Sequence, residues 1–345
     1  MTTEPDVAAR PRVSLRNLWR AAAVGLVVGG VGFGSFLLPI PFLFEYLPGP
    51  VRDVSELVEV SSAKTYSSEG SLYLTTVSVD TDVTLVEMLL SAIDKDKVVV
   101  LESQVTGGSS LNQLQEAQKR EMDSSKEYAR TVAIGAAGLG RPRGDGVRVV
   151  SVQEGAPADG VLEQGDVIVA VGAGRTRTTC DVGAAVVASE IGETVSVTVK
   201  REGRTRRFSL ETVGAPTNPA TPYLGIMMEE INYRFEPDVR VNFDTGRIAG
   251  PSAGLMLSLA LYDRLTPTDL SSGREIAGTG TISCDGEVGP IGGVEQKVAG
   301  AEQKGAEVFL SPVANAEAAR SSAESIEVVA VSSFQDAIDY LELSQ

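Results

Sequence analysis

The spacing of apolar positions changes several times along the chain. Ala21–Phe44 is an apolar run without a single charge, and Arg10, Arg12, Arg16 and Arg20 precede it. A run of that length crosses a bilayer core as a tilted helix, and the arginines stay on the cytoplasmic side. The expectation is a cytoplasmic segment over residues 1–20, a transmembrane helix over 21–44, and everything after Glu45 outside the cytoplasm. A cleavable leader is the rival reading, but Gly32-Phe33-Gly34 is a poor cleavage site. Tyr46–Val54 reads as a Pro/Gly exit, Gly70–Val79 alternates like a strand, and Val83–Ile93 has helical periodicity. Ser110–Thr131 is polar with weak apolar spacing, which predicts a surface helix. Gly146–Thr176 reads as strand, small-residue turn and strand; Val182–Glu190 as a short helix; Thr194–Val213 as a hairpin turning at Glu202-Gly203. Gly214–Gly225 is a Pro/Thr-rich linker. Beyond it, apolar strands alternate with amphipathic helices, the mark of an α/β or α+β domain.

Composition narrows the chemistry. The chain has 345 residues, a formal charge of −16, 43% hydrophobic residues and no histidine. An acidic surface disfavours nucleic acid and anionic lipid as main partners. The missing histidines remove the commonest metal ligand and the commonest general base. Cys180 and Cys284 are too few for a cysteine-rich metal site, and their place in different predicted domains speaks against a disulfide between them. No cofactor is expected. The absence of a Gly-x-x-x-x-Gly-Lys-Ser/Thr motif leaves no phosphate loop and no built-in use of ATP.

Gly250-Pro251-Ser252-Ala253-Gly254 matches G-x-S-x-G, which presents a nucleophilic serine in many hydrolases. Ser252 opens an apolar-periodic helix, where unpaired N–H groups stabilise negative charge. On position alone the helix-cap reading is the stronger of the two. Without histidine, the base must be a lysine, a carboxylate or a terminal amine. A lysine serves only if burial lowers its pKa. After Ser252 the chain has Lys297 and Lys304. Lys297 shares the apolar face of Val294, Val298 and Ala301, whereas Lys304 sits by Gly305 in the last turn. A lysine on such a face also reads as a snorkelling surface residue. Ser61-Ser62-Ala63-Lys64 and Gly107-Gly108-Ser109-Ser110 imitate other serine-hydrolase motifs but lack their companions.

Residues 131–213 resemble a PDZ domain of the subtype that accompanies bacterial proteases, through Gly155-Ala156-Pro157-Ala158, Gly165-Asp166-Val167-Ile168 and the Arg201-Glu202-Gly203 turn. The resemblance implies capture of peptide C-termini by strand addition. Gly138-Leu139-Gly140 is the candidate loop for the terminal carboxylate. From about Tyr223 to Ala318 the chain resembles the proteolytic domain of Lon-type proteases, through Gly250–Gly254, Gly278-Thr279-Gly280-Thr281-Ile282, Gly286–Gly293, Lys297 and Gly305–Asn315. That resemblance implies a Ser–Lys dyad of Ser252 and Lys297, with Thr279 orienting the amine and Gly250 and Ala253 shaping the serine turn. Two departures stand out: Ala249 replaces a usual acidic residue, and Thr281 stands where T-G-E-I is common.

The whole is similar to the PDZ-containing, membrane-anchored Lon-like proteases of bacteria. The expected fold is an α+β multidomain chain: a transmembrane helix, a juxtamembrane region over 45–130, a PDZ β-domain over 131–213, a linker over 214–222 and a Lon-type α/β proteolytic domain over 223–345. The strand in Gly70–Val79 has no partner in its own region, which suggests that the PDZ domain is inserted into the protease fold. The expected activity is an ATP-independent, extracytoplasmic serine endopeptidase acting on unfolded or flexible proteins. The resemblance also implies a homo-oligomeric ring, with a hexamer as the candidate size. A non-enzymatic PDZ adaptor and a self-processing protein are the alternatives.

Overall fold

The computed structural model describes residues 38–344, apart from 217–218 and 237–238. Its central sheet runs in the order Arg52–Asp53, Ser71–Leu74, Glu275–Gly278, Val308–Pro312, Glu327–Val331. The last four strands are parallel, and Arg52–Asp53 is antiparallel at one edge. Alternation along each strand divides the core. Leu72, Leu74, Ile276, Val308 and Leu310 point to one side, towards the buried residues of the helix Gly254–Leu265. Tyr73, Ala277 and Phe309 point to the other, towards Val294, Val298 and Ala301 of the helix Val294–Lys304. Parallel strands covered on both faces read as continuous apolar runs, and all five residues of Val308–Pro312 are buried.

The pairing of Ser71–Leu74 with Glu275–Gly278 joins chain segments about two hundred residues apart, and the PDZ-like sheet lies between them in sequence. That second sheet is antiparallel, in the order Arg204–Glu211, Thr194–Arg201, Val167–Val171, Val147–Val152, Ile226–Glu230. It carries the helix Thr179–Val187 and its own apolar core. Its outer strand, Ile226–Glu230, lies beyond the expected boundary at residue 213 and inside the segment expected to be protease. The Pro/Thr-rich stretch closes a short ribbon between Val213–Gly214 and Pro222–Tyr223, so the chain returns to the sheet it has just left.

The polar stretch that reads as a surface helix forms Leu111–Ala136, and one face of it is buried. Met122, Ala129, Ala133 and Ile134 join the same core as the helix Gly254–Leu265. Ser125, Ala129 and Ala133 stand four residues apart, and their small side chains let the two helices approach closely. Small residues add little to a hydrophobic pattern, which is why the buried face is faint in the sequence. Ser110 caps this helix reciprocally with Gln113.

Most of the expected transmembrane helix, residues 21–37, lies outside the described residues. Its end is not helical: Leu43–Pro48 is the middle strand of a three-stranded antiparallel sheet with Val77–Asp80 and Val98–Leu101. Pro39 and Pro41 interrupt any helix there. Among the described residues no helix is long and apolar enough to cross a membrane.

Cys180 and Cys284 form a disulfide with Cα atoms 5.5 Å apart, correcting the expectation that they stay apart. Cys180 lies in the first turn of Thr179–Val187, and Cys284 follows the short strand Thr281–Ile282. Tertiary folding brings the two units together here, a contact that spacing along the chain does not reveal. Digestion of the non-reduced protein should release the Cys180 and Cys284 peptides as one linked species. The double variant Cys180→Ser, Cys284→Ser should lower the unfolding free energy by about 2–4 kcal/mol in a denaturant titration. Free peptides from the native protein would contradict this junction.

Candidate active site

Lys297 lies on the helix over one face of the central sheet, Ser252 lies in the 3-10 turn that opens the helix over the other face, and both are hydrogen-bonded to Thr279 at the sheet's carboxyl end. The residue that follows the strand Glu275–Gly278 is Thr279, whose N–H donates to the Leu310 carbonyl at 3.0 Å. Thr279 sits between the two helices. Its hydroxyl accepts from Lys297 Nζ at 2.9 Å and donates to the Ser252 carbonyl at 3.1 Å. The same Ser252 carbonyl accepts from the Gly280 N–H at 2.9 Å, and the Gly280 carbonyl accepts from the Leu255 N–H at 3.1 Å. The serine turn is therefore bonded to the end of a strand rather than held by side-chain packing alone.

The turn itself has a local cause. Gly250 adopts φ +85°, a region that favours glycine, and it caps the short 3-10 helix Pro251–Ala253. Proline at the first position matches its fixed φ to the helix start. The α-helix Gly254–Leu265 follows directly. At Gly254, an added Cβ would lie 2.7 Å from both the Ile282 and Ser125 side chains, so glycine is needed for close approach. The long helix Leu111–Ala136 completes the clamp. Its Gln118 carbonyl accepts from the Gly250 N–H at 3.0 Å, and the Ser125 hydroxyl donates to the Pro251 carbonyl at 3.1 Å. Neither Gln118 nor Ser125 is legible in the sequence, because both act across a tertiary contact.

Lys297 is 3% exposed and Thr279 1%. No carboxylate pairs with Lys297 among the described residues. Burial alone lowers its pKa from 10.5 to about 7. An amine with that pKa is largely neutral just above pH 7, and its lone pair can accept a proton. Lys304, the rival lysine, is exposed at the helix end with its ammonium 5.0 Å from the centre of the Tyr73 ring.

The structure thus brings together Gly250, Ser252, Ala253, Thr279 and Lys297. It places Gly138, Leu139 and Gly140 elsewhere. They end the long helix, and Leu139 packs against the main core rather than beside the PDZ-like sheet. The segment leading into that sheet's outer strand is instead Tyr223-Leu224-Gly225. Gly225 has φ +76°, and an added Cβ would lie 2.1 Å from the Ala156 Cβ. The outer strand and the helix Thr179–Val187 are linked at one end, where the Thr179 N–H and hydroxyl both donate to Glu230.

Comparisons with known proteins find the same two units, with boundaries that differ from the packing: the PDZ match takes in most of the long helix Leu111–Ala136, and the Lon match takes in the outer strand Ile226–Glu230. The PDZ-domain family model matches residues 115–212, and the model of the Lon protease (S16) C-terminal proteolytic domain matches residues 225–341. Lon protease 2 of Bacillus subtilis (strain 168) is 36% identical over 103 residues, covering 30% of this chain and 18% of that protein. Lon protease 1 of the same organism is 32% identical over 115 residues, covering 33% and 14%. The PDZ domain of the SdrC-like protein Lin2157 from Listeria innocua is similar at 27% identity, over 24% of this chain and 93% of that chain, with a TM-score of 0.23. The chain spans less than a fifth of the length of these Lon proteases. It carries a PDZ domain and a Lon-type C-terminal proteolytic domain.

The sign of the lysine's effect on stability follows from its lowered pKa. Between about pH 7 and 10.5 the unfolded chain holds a proton that the folded chain has lost. Stability therefore rises with pH across that window, and the burial penalty is complete below it. Lys297→Met should raise the unfolding free energy near pH 7 by on the order of 4 kcal/mol, a gain that vanishes near pH 10.5. Denaturant titrations at both pH values measure it. A gain that does not change with pH would contradict a titrating, buried amine.

Proposed function

We propose that the chain is a membrane-anchored, extracytoplasmic serine endopeptidase that works without ATP through a Ser252–Lys297 dyad. The observation that carries this reading is the buried Lys297 amine, its pKa lowered to about 7, joined through Thr279 to the turn of Ser252. Neutral Lys297 takes the proton of the Ser252 hydroxyl as the oxygen attacks the scissile carbonyl carbon. Backbone N–H groups at the start of the serine helix, around Ala253, hold the oxyanion. The tetrahedral intermediate collapses, Lys297 protonates the departing amine, and an acyl-enzyme ester remains. Lys297 then takes a proton from water, the hydroxide portion attacks the ester, and the acid product leaves as Ser252 regains its proton.

The arginine-flanked apolar run supports the anchor and its orientation. The Cys180–Cys284 disulfide supports an oxidising compartment. The PDZ domain recognises C-terminal peptides of substrates, and the free edge of Ile226–Glu230 beside the helix Thr179–Val187 is where such a peptide adds as a strand. Unstructured tails and misfolded chains are the substrates that an enzyme without an unfolding motor can thread. Assembly into a homo-oligomeric ring, with a hexamer as the candidate size, rests on likeness to Lon-type domains.

The test is hydrolysis of casein by the detergent-solubilised full chain without nucleotide, beside Ser252→Ala and Lys297→Ala. Wild type alone should be active, with a rate that climbs through about pH 7 as the lysine loses its proton. Equal hydrolysis by Ser252→Ala would overturn the reading.

A further inference from the structure

The helix Leu85–Ser91 is amphipathic in the wrong direction for a soluble surface. Thr84, Glu87, Met88 and Ser91 form its inner stripe, and Ser91 donates to Glu45, a carboxylate 3% exposed. The outer stripe at i, i+3, i+4 and i+7 is wholly apolar: Val86 is 38% exposed, Leu89 57%, Leu90 53% and Ile93 84%. A helix beside water normally shows the reverse. The segment that enters this unit runs alongside. Pro39 bridges to Thr84, the Ile40 N–H donates to the Val83 carbonyl, and Leu38 and Phe42 are 63% and 59% exposed. Exposed apolar patches of this kind mark contact with another apolar phase.

We propose that this stripe lies in the interface of the lipid bilayer, as an in-plane amphipathic helix that seats the enzyme on its own membrane. The proposal rests on the anchor reading above. The apolar, charge-free sequence that precedes Leu38 ends beside the stripe, so an anchored chain delivers Leu38, Phe42 and the helix to the membrane surface together. The tether supplies a high local concentration, and the stripe needs only weak affinity of its own. Asp80, Asp82, Asp94 and Asp96 flank the helix with Lys95 and Lys97, and Lys95 is paired with Glu324. That balance attracts no anionic surface, so insertion is driven by apolar contact and needs no acidic lipid.

The disulfide makes the test direct, because Cys180 and Cys284 are the chain's two cysteines and both are occupied. Full-length Ile93→Cys, labelled with the fluorophore NBD, is reconstituted into phosphatidylcholine vesicles with and without a doxyl-labelled phosphatidylcholine. Ser321→Cys, on an exposed site of another helix, is the control. The proposal predicts blue-shifted emission at position 93, quenched by the doxyl lipid and unchanged by added phosphatidylserine, with neither effect at position 321. Chain that sediments with vesicles while the label at 93 stays in water overturns the seated stripe and leaves the anchor standing. Blue-shifted but unquenched emission overturns it too, because protein then covers the patch, either a second copy or residues 1–37. Chain that does not sediment with vesicles overturns both readings.

Discussion

Burial of one amine constrains the site. Lys297 lies on the helix covering one face of the central sheet, and Ser252 lies in the 3-10 turn that leads into the helix covering the other. They can meet only at the carboxyl end of the sheet, where Thr279 leaves its strand and bonds to both sides. A charged ammonium in that place would lack a counter-ion, so desolvation favours the neutral base. The apolar packing that stabilises the protease fold is therefore also what turns a lysine into a proton acceptor. Stability is given up at this point, as the positive slope of stability with pH expresses.

The PDZ-like unit is tied to this arrangement by its place in the chain. It leaves the protease fold after the long helix that clamps the serine turn and returns just before the segment leading to Gly250. The disulfide adds a lateral link from its helix Thr179–Val187 to Cys284, two residues beyond Ile282, which packs on Gly254. Displacement at the helix Thr179–Val187 thus has a short covalent and packed route to the turn of Ser252.

Legibility in the sequence follows the range of the interaction. The glycine–proline–serine turn and the lysine on an apolar face are local patterns, but each also reads as a helix cap or a surface lysine, and it is the resemblance to Lon-type domains that singles out Gly250, Ser252 and Lys297. The strand near Gly70 is equally local in its pattern, and its want of a neighbour points outside its own region; it pairs with Glu275–Gly278. Cys180–Cys284, Ser125 at Pro251 and the outer strand Ile226–Glu230 are tertiary contacts without periodic signature. Gly138–Gly140 draws notice for its glycines, but glycine there terminates a helix. Periodicity in Val83–Ile93 is plain, yet it does not say which stripe faces outward.

The proton on Lys297 can be followed directly. With 13C-labelled lysine and Lys297→Met for assignment, the Cε resonance of Lys297 in the native chain should titrate near pH 7, apart from every other lysine. A Cε resonance that stays in its protonated position up to pH 10 would contradict a neutral lysine base, and with it the mechanism built on Ser252.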